Sequence, residues 1–268
     1  MAIIDVPGAR LHYDERGSGP RLLLIPGAGG DARPFTALAG HLQADYRVIT
    51  YDRRGFSRST LDGPQDYQNR MDADADDAHA IIEQCGAPAA VLGSSSGALV
   101  ALRLLSRRPE TCTTVVACEP PAMRHLPDGQ RWIEFFHQVY DRHHTSGAAE
   151  ALHLFRRRTF TDIDRHAMAR NTDLTQPQTA ANVGYWCEHE LRQYPATEYD
   201  LEVLSRHAER IVWAVGRQSA GLPCHRATVA LARRLGAAVT EFPGGHIGFA
   251  TDAAAFAAAL RPSLTRGG

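Results

Sequence analysis

Lysine is absent from the sequence, and all 29 basic residues other than histidine are arginines. That excludes Schiff-base chemistry, a lysine general base and the lysine of a phosphate-binding loop. A coding bias toward Arg and Ala is sufficient cause. Cysteine pairs are missing too. Cys85, Cys112, Cys118, Cys187 and Cys224 are odd in number and scattered, with no CxxC spacing, which suits reduced thiols in a cytoplasm. Charge of one sign is not in excess: a net charge of −1 points neither to nucleic acid nor to an anionic membrane surface as partner. No apolar run approaches the roughly 18 residues of a membrane span. The opening stretch, "MAIIDVPGARLHYDERGSGP", has neither the basic flank nor the long apolar region of a secretory signal, so a cytoplasmic location is expected.

What is present is an alternation of strands and helices. The 268 residues are 44% hydrophobic, ordinary for a globular chain and enough for a large core without staples. "AIIDV", "RLHYDE", "RLLLI" and "YRVITYD" read as four strands, the last two continuously apolar, as strands buried on both faces should be. Residues 33–41 between them read as a helix. From Asp66 to Cys85, Met71, Ala75, Ala78, Ile82 and Cys85 recur at three- and four-residue spacing with aspartates between them, the mark of an amphipathic helix. The strand "AAVLG", a helix from Gly97 to Arg107 and the strand "CTTVVAC" follow. Then comes a stretch of about 85 residues, helical and without strands, before "RIVWAVG", a helix over 227–235, "AAVTEF" and an alanine-rich helix from Asp252 restore the pattern. Such alternation predicts a mostly parallel eight-stranded sheet with helices on both faces. The interruption is too long for a loop and predicts an inserted helical cap over 120–206, with a core formed by 1–119 and 207–268.

Three adjacent serines stand at the centre of this pattern, in "AAVLGSSSGALVALRLL". Only Ser95 fits G-x-S-x-G, with Gly93 and Gly97 as its glycines. A sharp turn between a buried strand and a buried helix would expose that hydroxyl and aim the helix's positive end at it. A plain polar turn is the bland alternative, and the strand-to-helix context weighs against it. The chain as a whole resembles the α/β-hydrolase superfamily. The likeness is carried by "LLLIPGAGG", "YDRRGFSRS", the turn at Ser95, the helical insertion and "FPGGHIGF", in that order.

The resemblance implies a nucleophile, a base and an acid. A serine hydroxyl needs a base within hydrogen-bond reach. Of 13 histidines, His246 matches the family's base, in a glycine-flanked loop after the last strand. The family usually places its acid shortly after the seventh strand, where this chain has Ser219; no carboxylate lies between Gly216 and Glu241. Glu119, after the sixth strand, is the substitute, and Pro120 and Pro121 would stiffen the exit behind it. Asp52 is expected to organise the "DRRG" turn instead, and Asp252 to start the final helix. The backbone amides of Ala28 and Ser96 would form the oxyanion hole. Trp132, Tyr185 and Trp186, on the cap, are expected to line the substrate pocket. His137, Asp141, His143 and His144 crowd together, but a helix surface collects such residues without holding a metal.

These readings converge on a cofactor-free serine hydrolase acting on a small-molecule ester, lactone or thioester with an apolar body, and leave a homodimer open. A serine at the elbow argues against the carboxylate-dependent epoxide hydrolases and dehalogenases. C–C bond hydrolysis and perhydrolysis use the same triad, and a binding or biosynthetic protein that has lost turnover is the alternative from another class.

Overall fold

A computed structural model describes residues 2–264. Strands β1 (Ala2–Val6) and β2 (Ala9–Arg16) form an antiparallel hairpin, and β3 (Arg21–Ile25) follows. Helix α1 (Thr36–Leu42) leads into β4 (Arg47–Tyr51). A two-residue strand, β5 (Thr60–Leu61), pairs with β2 and precedes helix α2 (Arg70–Gln84). Strand β6 (Ala89–Ser94), helix α3 (Ser96–Arg107) and strand β7 (Cys112–Cys118) complete the first part. The order across the sheet is β1-β2-β4-β3-β6-β7-β8-β9, parallel from β4 onward, where β8 is Ile211–Gly216 and β9 is Val239–Phe242. Eight strands thus lie on the main path, with β5 a ninth too short to show in the sequence pattern.

Between β7 and β8 the chain makes helices and no strand. These are α4 (Gly129–Thr159, broken at Gly147), α5 (Asp162–Arg170), α6 (Pro177–His189) and the short α7 (Leu201–Ser205). Helices α8 (Pro223–Arg234), α9 (Gly248–Thr251) and α10 (Ala253–Leu264) close the chain. Among the described residues, no helix is long and apolar enough to cross a membrane.

The core has two layers because successive strand residues face opposite ways. In β3, Leu23 and Ile25 join one apolar cluster while Leu22 and Leu24 join the other. The first cluster takes the Met71, Ala75, Ala78, Ile82 and Cys85 stripe of α2, the apolar residues of α3, and residues of the insertion. The second is covered by α1 and α10, through Leu38, Leu42, Phe256 and Leu260. Burial of this kind stabilises by roughly 25 cal/mol per Å² of apolar surface removed from water.

This layering decides where chemistry can occur. Parallel strands β3, β6, β7 and β8 end side by side, with Ile25 paired to Gly93, Ser94 to Cys118 and Cys118 to Ala214. The loops that leave these ends therefore meet at one edge, the usual place for ligands in an open α/β sheet.

Candidate active site

Ser95 is the turn between β6 and α3, and its backbone is held at φ 55°, ψ −124°. A left-handed φ in a residue with a Cβ costs of order 1–3 kcal/mol and persists only where the surroundings enforce it. They do so here. The Ser95 N–H donates to the Cys118 carbonyl at 2.8 Å, and the Ser95 carbonyl accepts from Ala98 at 2.8 Å. The flanking glycines are required by close packing: a Cβ on Gly93 would lie 2.3 Å from the Gly97 carbonyl oxygen, and one on Gly97 would lie 2.2 Å from that of Ile25. Of the three serines, Ser94 and Ser96 are buried and Ser95 is partly accessible. Accessibility thus singles out the residue that the glycine spacing selects.

Glu119 follows β7 and also has a left-handed backbone, φ 48°. The bend turns its side chain toward β8. One carboxylate oxygen accepts from the Gly216 N–H at 2.9 Å and from the Ser219 hydroxyl, while the other accepts from His246 Nδ1–H at 2.6 Å. Burial alone would raise the pKa of Glu119. The hydrogen bond and charge of His246, with the donors Ser219 and Gly216, outweigh it and hold the carboxyl below its ordinary value. Ser219, where the resemblance led us to expect a carboxylate, donates its hydroxyl to the Glu119 carboxylate instead. Because the folded value is depressed, the stability contributed by Glu119 is present above its ordinary 4.5 and is lost as the pH falls through the folded value.

The acceptor on Nδ1 fixes the tautomer of His246 and leaves Nε2 without a proton. Nε2 is buried and has no hydrogen-bond partner among the described residues, so the bond to Ser95 is not formed in this state. Catalytic hydrogen bonds of ligand-free sites often tighten only with substrate in place. The imidazole packs on Phe160, with ring centroids 4.7 Å apart.

The loop that carries His246 is tied down by a residue the sequence pattern did not disclose. Asp164, fully buried on α5 of the insertion, accepts from the His246 N–H at 3.1 Å and the Ile247 N–H at 3.2 Å. Its only local signal is "TDID", in which Thr161 caps the helix at the Asp164 amide; nothing in that signal points to a loop 82 positions away. Asp164→Ala would leave the buried His246 amide and the partly buried Ile247 amide without their acceptor. It should cost about 3 kcal/mol of stability, read as a lower urea midpoint with an unchanged slope, and it should slow turnover because the histidine loop is no longer held.

Ala28, Ser95, Ser96, Pro121, Phe136, Phe155, Phe160, Trp186, Leu191 and Tyr194 are among the residues around one cavity of about 30 Å³. Among the described residues, the N–H groups of Ala28 and Ser96 have no hydrogen-bond acceptor. They remain available to a negatively charged oxygen. Of the three aromatic residues expected on the pocket wall, Trp186 is there and the other two are elsewhere. Trp132 donates to Asp128 at 3.2 Å and lies under Arg158. Tyr185 accepts from Arg70 at 2.6 Å and packs edge-on against Phe56. All three are bulky aromatics of the helical stretch, and only packing decides which of them meets the cavity. Asp52 stays in its turn, accepting from Ala32 at 2.9 Å and from Arg58 Nε at 2.6 Å. No group of three or more His, Cys, Asp or Glu among the described residues is placed to hold a metal ion.

Residues 22–259 match the family model described as the alpha/beta hydrolase family. Over 252 residues the chain is 36% identical to the uncharacterized hydrolase YraK of Bacillus subtilis (strain 168), covering 92% of this chain and 89% of YraK. In structure it is similar to the enol-lactonase of Burkholderia xenovorans LB400, with a TM-score of 0.73 and 21% identity over 98% of this chain and 100% of the other. It is also similar to a thermophilic esterase of Thermogutta terrifontis, with a TM-score of 0.75 and 20% identity over 99% and 100% of the two chains. At these identities the two structures show a shared fold.

Proposed function

The chain belongs to the alpha/beta hydrolase family, and from that premise we propose that it cleaves a carboxylic ester, lactone or thioester through an acyl-enzyme on Ser95. The observation that carries the reading is the convergence at one sheet edge of an accessible strained serine, two open amides and a buried Glu119–His246 pair. His246 Nε2 takes the Ser95 proton as the hydroxyl attacks the substrate carbonyl. Glu119 holds the imidazole in that tautomer and stabilises its charged form. The Ala28 and Ser96 amides bind the oxyanion, and His246 returns the proton to the leaving group. Water activated by the same imidazole then releases the acid. Such a cycle needs neither cofactor nor metal.

The insertion acts as a cap in this reading. Phe136, Phe155, Phe160 and Trp186 give the acyl group an apolar site. The cavity has room for only one or two waters, so a short acyl chain is the expected substrate group. The names of similar proteins, an enol-lactonase and an esterase, lend support to the same bond type. A serine-reactive fluorophosphonate should label Ser95, located by mass spectrometry. Across p-nitrophenyl esters from acetate to octanoate and a simple lactone, kcat/KM should be highest at short chain length. No adduct at Ser95 together with no ester or lactone turnover would remove this reading and favour a ligand-binding role.

A further inference from the structure

We propose that Arg53 is a positioning residue of the oxyanion hole, anchoring the Gly27 carbonyl so that the Ala28 N–H points at the oxygen formed by attack of Ser95. This rests on the acyl-transfer reading of Ser95.

The Gly27 carbonyl and the Ala28 N–H belong to one trans peptide unit, in which the two groups point in opposite directions. Fixing the oxygen on one side therefore fixes the hydrogen on the other. Arg53 Nη2 donates to the Gly27 oxygen at 3.0 Å, and the Gly30 N–H donates to the same oxygen at 3.0 Å. The loop leans against the elbow: a Cβ on Gly27 would lie 2.9 Å from both the Ser94 oxygen and the Ser95 Cβ. Ala28, Ser95 and Ser96 line the same cavity. A flipped peptide would aim a carbonyl oxygen at the place where the oxyanion forms, and it would leave a guanidinium donor bare in a dry site.

Arg53 can act as an anchor because it cannot move. Its side chain is fully buried and is gripped from the far side. Nη1 donates to Asp74 at 2.7 Å and to Glu190 at 3.0 Å, and Nη2 donates to the second Glu190 oxygen at 2.7 Å. Burial works against the charge, but the carboxylates of Glu190 and Asp74 outweigh it and keep the guanidinium protonated. Arg70 completes the cluster, donating to Glu190 at 2.9 Å, so two cations face two anions. A charge on the Gly27 carbonyl also polarises the peptide and strengthens its N–H as a donor. Glu190 lies at the end of α6, so the hole is held in register only with the cap docked.

The test uses Arg53→Met combined with Asp74→Asn, which removes one charge of each sign and leaves the Arg70–Glu190 pair. Arg54→Met with Asp77→Asn is the control. It deletes a comparably buried pair that adjoins the same charges but whose other side-chain hydrogen bonds go to Pro7 and Gln65, away from the Gly27 carbonyl. Turnover of p-nitrophenyl acetate is measured beside the affinity for a trifluoromethyl ketone, whose adduct with Ser95 places an oxyanion in the hole, and for the matching methyl ketone. The Arg53 variant should lose about 100-fold in kcat and in trifluoromethyl ketone affinity, with KM and methyl ketone binding within about threefold. The control should stay within about threefold throughout. Equal losses in both variants, or undiminished trifluoromethyl ketone affinity in the Arg53 variant, would overturn the proposal. If the Arg53 double variant shows no cooperative thermal transition, Arg53→Lys carries the same measurement. It keeps the charge but lacks the fork, so a loss of about tenfold in kcat at constant KM supports the anchor and wild-type behaviour refutes it. Fluorophosphonate labelling of the wild type separates the two levels: a labelled Ser95 with an indifferent Arg53 variant removes only this inference, and an unlabelled Ser95 removes both.

Discussion

Ser95→Ala is expected to lower kcat on a short-chain p-nitrophenyl ester by about 10⁶-fold, with little change in KM. The size follows from the absence of a substitute. Ser94 ends a fully buried strand and Ser96 opens helix α3, and both side chains are out of solvent. Neither has the φ of 55° that turns a side chain out of the elbow. With the hydroxyl gone, Glu119 and His246 remain paired and the two amides remain open, so the residual rate reports binding and oxyanion stabilisation acting on water. Binding is expected to persist because the apolar wall formed by Phe136, Phe155, Phe160 and Trp186 is untouched. The check is a pre-steady-state burst of p-nitrophenol in the wild type that vanishes in the variant, with fluorophosphonate labelling lost in parallel. Retention of more than about 1% of the turnover would show that another group attacks the substrate.

Glu119→Gln should reduce kcat by about 10⁴-fold while leaving the fold intact. The glutamine is isosteric, and its carbonyl oxygen can still accept from Gly216 and Ser219. Its amide nitrogen would then face His246 Nδ1, now as a donor. The imidazole must answer with the other tautomer, carrying its proton on Nε2, and it can no longer take one from Ser95. The chemistry fails through a proton in the wrong place. Ser219 offers a second arm of the same test, because its hydroxyl already reaches the Glu119 carboxylate. Adding Ser219→Asp to Glu119→Gln places a carboxylate beside the lost one, and should recover at least about tenfold of the lost rate if the defect is one of tautomer and charge. Near-normal activity in Glu119→Gln alone would refute the assignment of the acid.

The order of elements was legible in the amino-acid sequence because each rests on a local rule. Apolar runs bounded by turn residues marked strands β3, β4, β6, β7, β8 and β9, and the stripe through Met71, Ala78 and Ile82 marked α2. The glycines around Ser95 located the elbow because backbone must pass against backbone there. His246 and Glu119 were legible for a weaker reason, their places after particular strands, and the bond between them is what the folded chain adds. The two-residue β5 was not legible, since two residues carry no period.

What lay beyond the sequence has one physical character: contacts between segments far apart in the chain. Asp164 reaches the histidine loop across 82 positions, and Glu190 reaches Arg53 across 137. Locally, Asp164 is one more acid near a helix N-terminus, Glu190 sits in an unremarkable "CEHE", and Arg53 belongs to a turn motif. Trp132 and Tyr185 carry the same apolar label as Trp186, and only the packing of the insertion on the sheet turned one of the three toward the cavity. Propensity and periodicity, acting within a few residues, thus determined the elements and the turn that carries Ser95. Burial determined the rest, because a charge or amide taken out of water must find its partner wherever the fold brings one.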